Sequence, residues 1–149
     1  YRRGVPSEQR QAIDYPAEEL MQIALENPDY RYICRGARPG AVLINDRELY
    51  ASFLLGPNLL QENWTLRDPA SASALDWQAV LDLKPALFIL GTGEIQIFPE
   101  PKHFAYFLQR GIGFEVMSNA AAARTFNILA QESRNVVAGF IIQADSTSP

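Results

Sequence analysis

The chain has 149 residues, of which 48% are hydrophobic and 20% charged, enough apolar material for the core of one soluble globular domain. Thirteen Lys and Arg against 17 Asp and Glu leave a net charge of -4, which argues against non-specific binding to nucleic acid or anionic lipid as the main activity. One cysteine, Cys34, and one histidine, His103, exclude an intramolecular disulfide, a thiolate metal cluster and a multi-histidine metal site, and fit a reducing compartment.

Residues 1–16 are polar and interrupted by Pro6 and Pro16. They are expected as a flexible arm, and Arg2 and Arg3 lack the apolar stretch that a secretory signal places after its charges. Residues 17–25 admit two readings, since good helix formers fill them while Met21, Ile23 and Leu25 alternate as in a strand. Residues 30–38, 41–44 and 48–55 are short β-type runs punctuated by Pro39-Gly40 and Asn45-Asp46. They predict an antiparallel meander that Glu62-Asn63-Trp64 closes. A helix is expected over residues 73–83, where Ala74, Trp77, Val80 and Leu81 recur at helical spacing and Asp76 suits the positive end of the dipole. Lys84-Pro85 stops it.

The run Leu87-Phe88-Ile89-Leu90-Gly91-Thr92-Gly93 reads as a strand entering a glycine loop. A helix over residues 101–109 follows, with Pro101 in its first turn, Gly111 just past its end, and Phe104, Phe107 and Leu108 on its inner face. A strand over 114–117 leads to a helix that Asn119 caps and that runs to about Glu132. Ser133-Arg134-Asn135 turns the chain into a closing strand over 136–142, and residues 144–149 are expected as a flexible tail. No apolar run approaches the ~20 residues that cross a bilayer, so no membrane insertion is expected. Strands alternating with helices predict one α/β domain over residues 17–143.

Strands ending at Leu90 and Met117 should present their following turns side by side on one rim, where α/β folds usually bind ligands. Gly91, Thr92, Gly93, His103, Ser118 and Asn119 are therefore the candidate ligand-binding residues. The Gly-Thr-Gly loop lacks the third glycine and the immediate helix of a dinucleotide-binding fingerprint, because Glu94-Ile95-Gln96 follow and Pro99 delays the helix. It reads either as a turn that only glycine makes or as a backbone cradle for a small anion or carbonyl group. His103, near a helix start, would favour neutral imidazole and could act as a general base, but no Ser, Cys or carboxylate partner is identifiable. No catalytic residue, metal ligand or cofactor is assigned. Cys34 reads as a small buried hydrophobe. In the last helix Ala122, Phe126 and Leu129 share the burying face, Arg124, Asn127 and Gln131 form a second stripe, and Thr125 and Glu132 a third. Thr125 and Asn127 stand about 200° apart, so both cannot enter one small pocket. Glu132 and Arg134 straddle the last turn, where a salt bridge or a carbonyl cap is expected.

Three segments together, Pro85 through Gly93, Gly111-Ile112-Gly113-Phe114-Glu115-Val116-Met117, and Ala122-Ala123-Arg124-Thr125-Phe126-Asn127-Ile128-Leu129-Ala130-Gln131-Glu132-Ser133-Arg134, resemble a family of proteins. It holds the mitochondrial respiratory complex I assembly factor and adipogenesis-associated domain proteins, with many bacterial members. The resemblance covers residues 32–142 and includes Trp64; Thr125, Asn127, Glu132 and Arg134 are further motif positions. Asn119 stands where the family often has Thr, and Ser133 where it usually has Gly. The resemblance implies a three-layer α/β fold with a central mixed β-sheet flanked by helices and a small N-terminal antiparallel β element. It also implies a non-catalytic role in assembly of a membrane respiratory complex, with a protein partner, in the cytoplasm or, for a eukaryotic source, the mitochondrial matrix. Exposed strand edges in the meander leave a homodimer open. The alternative is a small-molecule-binding enzyme or sensor that uses the Gly-Thr-Gly loop.

Overall fold

Apolar side chains that alternate between the two faces of neighbouring strands force a sheet covered on both sides. The computed structural model describes residues 31–143. A small antiparallel sheet comes first, made of β1 (Cys34–Arg38), β2 (Ala41–Ile44) and β3 (Arg47–Leu49). The remaining strands are β4 (Phe53–Gly56), β5 (Leu59–Glu62), β6 (Leu87–Gly91), β7 (Gly113–Met117) and β8 (Val136–Phe140). They form one mixed sheet in the order β5-β4-β8-β6-β7, with β6 parallel to both β7 and β8 and β4 antiparallel to both β5 and β8. Among the described residues three α-helices cover it: α1 (Ala74–Leu81), α2 (Pro101–Leu108) and α3 (Asn119–Gln131).

The period of two divides the core into two clusters. Phe53, Leu55, Ile89, Val136, Ala138 and Phe140 pack with Phe126 of α3 and with Val42 and Ile44 of the small sheet. Leu54, Phe88, Leu90 and Val137 pack on the other side with Trp64, with Trp77 of α1 and with Phe107 of α2. The connection from β6 to β7 moves one way along the sheet, and that from β7 to β8 steps back over β6. Right-handed crossovers in opposite directions put their helices on opposite faces, and α2 and α3 are so divided. This is the three-layer α/β arrangement, with a mixed central sheet and a small antiparallel one.

Several local expectations change. Residues 48–55 are not one strand: β3 ends at Leu49 in the small sheet and β4 begins at Phe53 in the large one. Ser52 causes the division. It is fully buried, its hydroxyl accepts the Ile142 N–H at 3.0 Å and its carbonyl accepts the Trp64 N–H at 2.9 Å, so the chain is fastened into the second sheet there. β5 was not expected, because most of its side chains are exposed and its pairing with β4 holds it. The closing strand ends at Phe140, although Ile141 still donates to the Gly91 carbonyl at 2.9 Å. The expected arm, the helix or strand of residues 17–25 and the tail lie outside the described residues.

Ser118, not Asn119, caps α3: its hydroxyl accepts the Ala121 N–H at 3.2 Å and its backbone is extended. At the other end the Ser133 N–H reaches the Ala130 carbonyl and the Arg134 N–H the Leu129 carbonyl, each at 3.0 Å, a closure that places Ser133 in the left-handed region at φ 61°. Glycine would occupy that conformation without a Cβ clash, so Ser133→Gly is expected to raise unfolding stability by about 0.5–1 kcal/mol. Equilibrium denaturation in urea measures this, and a lower midpoint in the variant contradicts it.

Candidate functional site

The carboxyl ends of β6 and β7 lie side by side, Gly91 opposite Met117, and their following chains leave toward opposite faces of the sheet. In doubly wound folds that geometry opens a crevice in which ligands sit. Here backbone pairing continues past the strand ends: the Thr92 N–H donates to the Met117 carbonyl at 2.9 Å and the Asn119 N–H to the Gly93 carbonyl at 2.7 Å. Gly91, Thr92, Gly93, Ser118 and Asn119 are thus brought together.

Asn119 is 6% exposed, and its carboxamide joins two further segments. Its Oδ1 accepts the Gly93 N–H at 3.2 Å and its Nδ2 donates to the Ile141 carbonyl at 3.1 Å. A Cβ on residue 91 would collide with that Oδ1, which accounts for Gly91. Thr92, 5% exposed, folds the next turn around its hydroxyl, which donates to the Ile95 carbonyl at 2.6 Å and accepts the Ile97 N–H at 3.0 Å. Gln96 reaches across to β7, where its Nε2 donates to the Val116 carbonyl at 2.8 Å. The loop is therefore held at three points, yet Ile95, Ile97 and Phe98 are 66%, 41% and 62% exposed.

His103 does not join this rim. It is a buried member of the aromatic cluster on the α2 side, its ring 5.5 Å from that of Trp77, and its Nδ1 accepts the Trp77 indole N–H at 2.8 Å. That bond leaves the imidazole proton of the neutral form on Nε2. Burial, then the charge of Lys102, holds its pKa below the ordinary 6.5. Trp64 covers Gly139, where a Cβ would come within 2.7 Å of its ring, and its indole N–H donates to the Asp76 carbonyl at 3.1 Å.

Asn127, expected on a stripe with Arg124 and Gln131, is 4% exposed. Its Nδ2 donates to the Cys34 carbonyl at 2.7 Å and its Oδ1 accepts the Cys34 N–H at 3.0 Å, joining α3 to β1 where the strand bulges. Thr125 is half-buried and Glu132 and Arg134 are exposed. The ion pairs among the described residues lie elsewhere, and backbone amides close the last turn instead. The Cys34 thiol is buried, which pushes its pKa up and away from thiolate chemistry. On the small sheet Arg38 grips Glu48 through two bonds of 2.9 Å and the Tyr50 hydroxyl donates to Glu48 at 2.7 Å. The hydrogen bond from Arg38, then that from Tyr50, holds the Glu48 carboxyl down at about 2. Spacing could not reveal that surface cluster, because the strand register brings its members together. The apolar loop left a signal: Ile95, Ile97 and Phe98 stand where loops are ordinarily polar.

Residues 34–141 match the model of a family described as a protein of unknown function, DUF498/DUF598. The chain belongs to that family. A Xanthomonas campestris protein of known structure is 40% identical, with a TM-score of 0.72 over 83% of this chain and 96% of that one. A Bordetella parapertussis protein is 28% identical, with a TM-score of 0.68 over 75% of this chain and 96% of its own. A Bordetella pertussis protein, a Mth938-like domain 24% identical over 78% of this chain and 89% of its own, has the same fold at a TM-score of 0.66. No curated protein matches the chain. No helix among the described residues of this DUF498/DUF598 member is long and apolar enough to cross a membrane.

Two outcomes test the roles of these buried polar groups. Asn119→Ala leaves the Gly93 N–H and the Ile141 carbonyl without their partner, and should cost about 2–4 kcal/mol by equilibrium unfolding; a loss under about 0.5 kcal/mol, the range of neutral surface changes, would exclude a tie at this point. For His103 the folded-state pKa is depressed, so the unfolded chain takes up the proton first as pH falls. Its stabilising contribution is complete above 6.5 and declines below that value until the folded-state pKa is reached. His103→Gln keeps an acceptor for Trp77 without that titration and should flatten the fall in melting temperature between pH 7 and pH 5. Equal slopes in the two proteins would remove His103 as the source.

Proposed function

We propose that this chain is a non-catalytic protein-interaction module, an assembly-factor-like domain that holds a partner while a larger complex is put together. The observation that carries this reading is the fastened loop with Ile95, Ile97 and Phe98 turned to solvent. Three exposed apolar side chains gathered on one loop support an interaction surface, and a loop already ordered loses little conformational freedom when it binds. Thr92, Gln96 and the Asn119 carboxamide satisfy backbone groups of the loop and the strand ends, and leave Ile95, Ile97 and Phe98 exposed beside the charged Glu94 and Glu100.

The same bonds weigh against the small-molecule alternative. A ligand entering between β6 and β7 would have to displace the Asn119 carboxamide from Gly93 and Ile141, or the Thr92 hydroxyl from Ile95 and Ile97. The resemblance to respiratory complex I assembly factors supports the partner-holding role and suggests a membrane respiratory complex as its object.

The test compares wild type with Ile95→Ser/Phe98→Ser as bait in native extract of the source cell under mild crosslinking. Both side chains are exposed, so the variant should keep its stability within about 0.5 kcal/mol. A partner recovered reproducibly by wild type should fall at least tenfold with the variant. No reproducible partner, or equal recovery by both baits, overturns the reading.

A further inference from the structure

β7 stands at the end of the central sheet among the described residues. Such an edge offers backbone donors and acceptors to any strand that approaches it. The Gly113 N–H donates to the Ala86 carbonyl at 3.0 Å and the Met117 carbonyl accepts from Thr92 at 2.9 Å, which turns Gly113, Glu115 and Met117 toward β6 and leaves the polar groups of Phe114 and Val116 facing outward. The outward carbonyl of Val116 accepts Gln96 Nε2 at 2.8 Å, so a side-chain amide stands where the N–H of a further strand would stand.

Glu115 is the middle residue of β7 and is exposed. If a second copy paired antiparallel about it, the two Glu115 residues would face each other in a non-hydrogen-bonded pair, with Cα atoms about 4.5 Å apart. Like charges directly opposite across two strands are destabilising. Gln96 removes an acceptor and Glu115 penalises the register that would use the rest.

We propose that Gln96 and Glu115 together close the β7 edge against sheet extension by a second copy of this chain. The closed edge stands independently of the partner-holding role, since an edge is closed whether or not Ile95 and Phe98 bind anything. Sedimentation of wild type and of Gln96→Val/Glu115→Val across one concentration series tests it. The double variant should form a species of twice the wild-type mass, with slowed amide exchange at Phe114 and Val116, and each single variant should form less of it. A double variant that keeps its circular dichroism spectrum and the wild-type mass overturns the proposal. Should the variant fail to fold, NMR of the wild type decides: the Gln96 carboxamide protons should exchange more slowly than those of a free glutamine, and exchange at the free rate overturns the proposal equally.

Discussion

One buried carboxamide ties three segments of the chain together, and the shape of the rim follows from it. Asn119 opens α3, yet its side chain turns back to hold the Gly93 N–H just after β6 and the Ile141 carbonyl just after β8. A buried amide left without partners is costly, so the contacts of this junction support one another. Gly91 is part of the same constraint, because a side chain there would occupy the space of Oδ1. With the ends of β6 and β8 and the start of α3 fixed together, the direction in which residues 93–98 leave the sheet is fixed as well, and Thr92 then sets the turn that exposes Ile95 and Ile97.

The same logic recurs deeper in the molecule. Asn127 pairs with both backbone groups of Cys34 as a neighbouring strand would, and fastens the small sheet to α3 across 93 residues of sequence. His103 serves the other layer by accepting the indole proton of Trp77, which touches Trp64, Phe88, Phe107 and Phe114. Each of these polar side chains satisfies a group that would otherwise be buried without a partner, which is the ordinary condition for polarity inside a core.

What was legible in the sequence was what periodicity and end signals carry. The run 87–90, the helix opened by Pro101 and closed by Gly111, and the strand before Ser118 appear close to where they were expected, because an apolar period and a stop residue are local properties. The division at Ser52 and the strand at Leu59–Glu62 were hidden, since both depend on distant partners, Ile142 in one case and β4 in the other. At the rim, the adjacency of Gly91 to Gly93 with Asn119 followed from the parallel crossover. The work each side chain does there did not: Asn119 read as a cap, while Ser118 caps the helix and Asn119 crosses to two other segments. Ser133 shows the reverse case, a residue that departs from the resembled family's glycine and still takes the left-handed conformation, because two amide-to-carbonyl bonds of the helix end require it.

In open α/β sheets ligands sit in the crevice outside the carboxyl ends of diverging strands, where buried backbone polar groups must find a partner in protein, water or ligand. In this chain Asn119 and Thr92 supply that partner from within, and Gln96 extends the same substitution sideways onto β7. Strand-end polarity at the rim is met from within, and among the exposed Glu94, Gln96 and Glu100 the loop between β6 and α2 offers outward three apolar side chains, Ile95, Ile97 and Phe98. Desolvating apolar side chains on an ordered loop favours association without requiring new backbone bonds. For the partner-holding role proposed above, a rim whose strand-end polar groups are met from within lets a partner depart without leaving those groups unsatisfied.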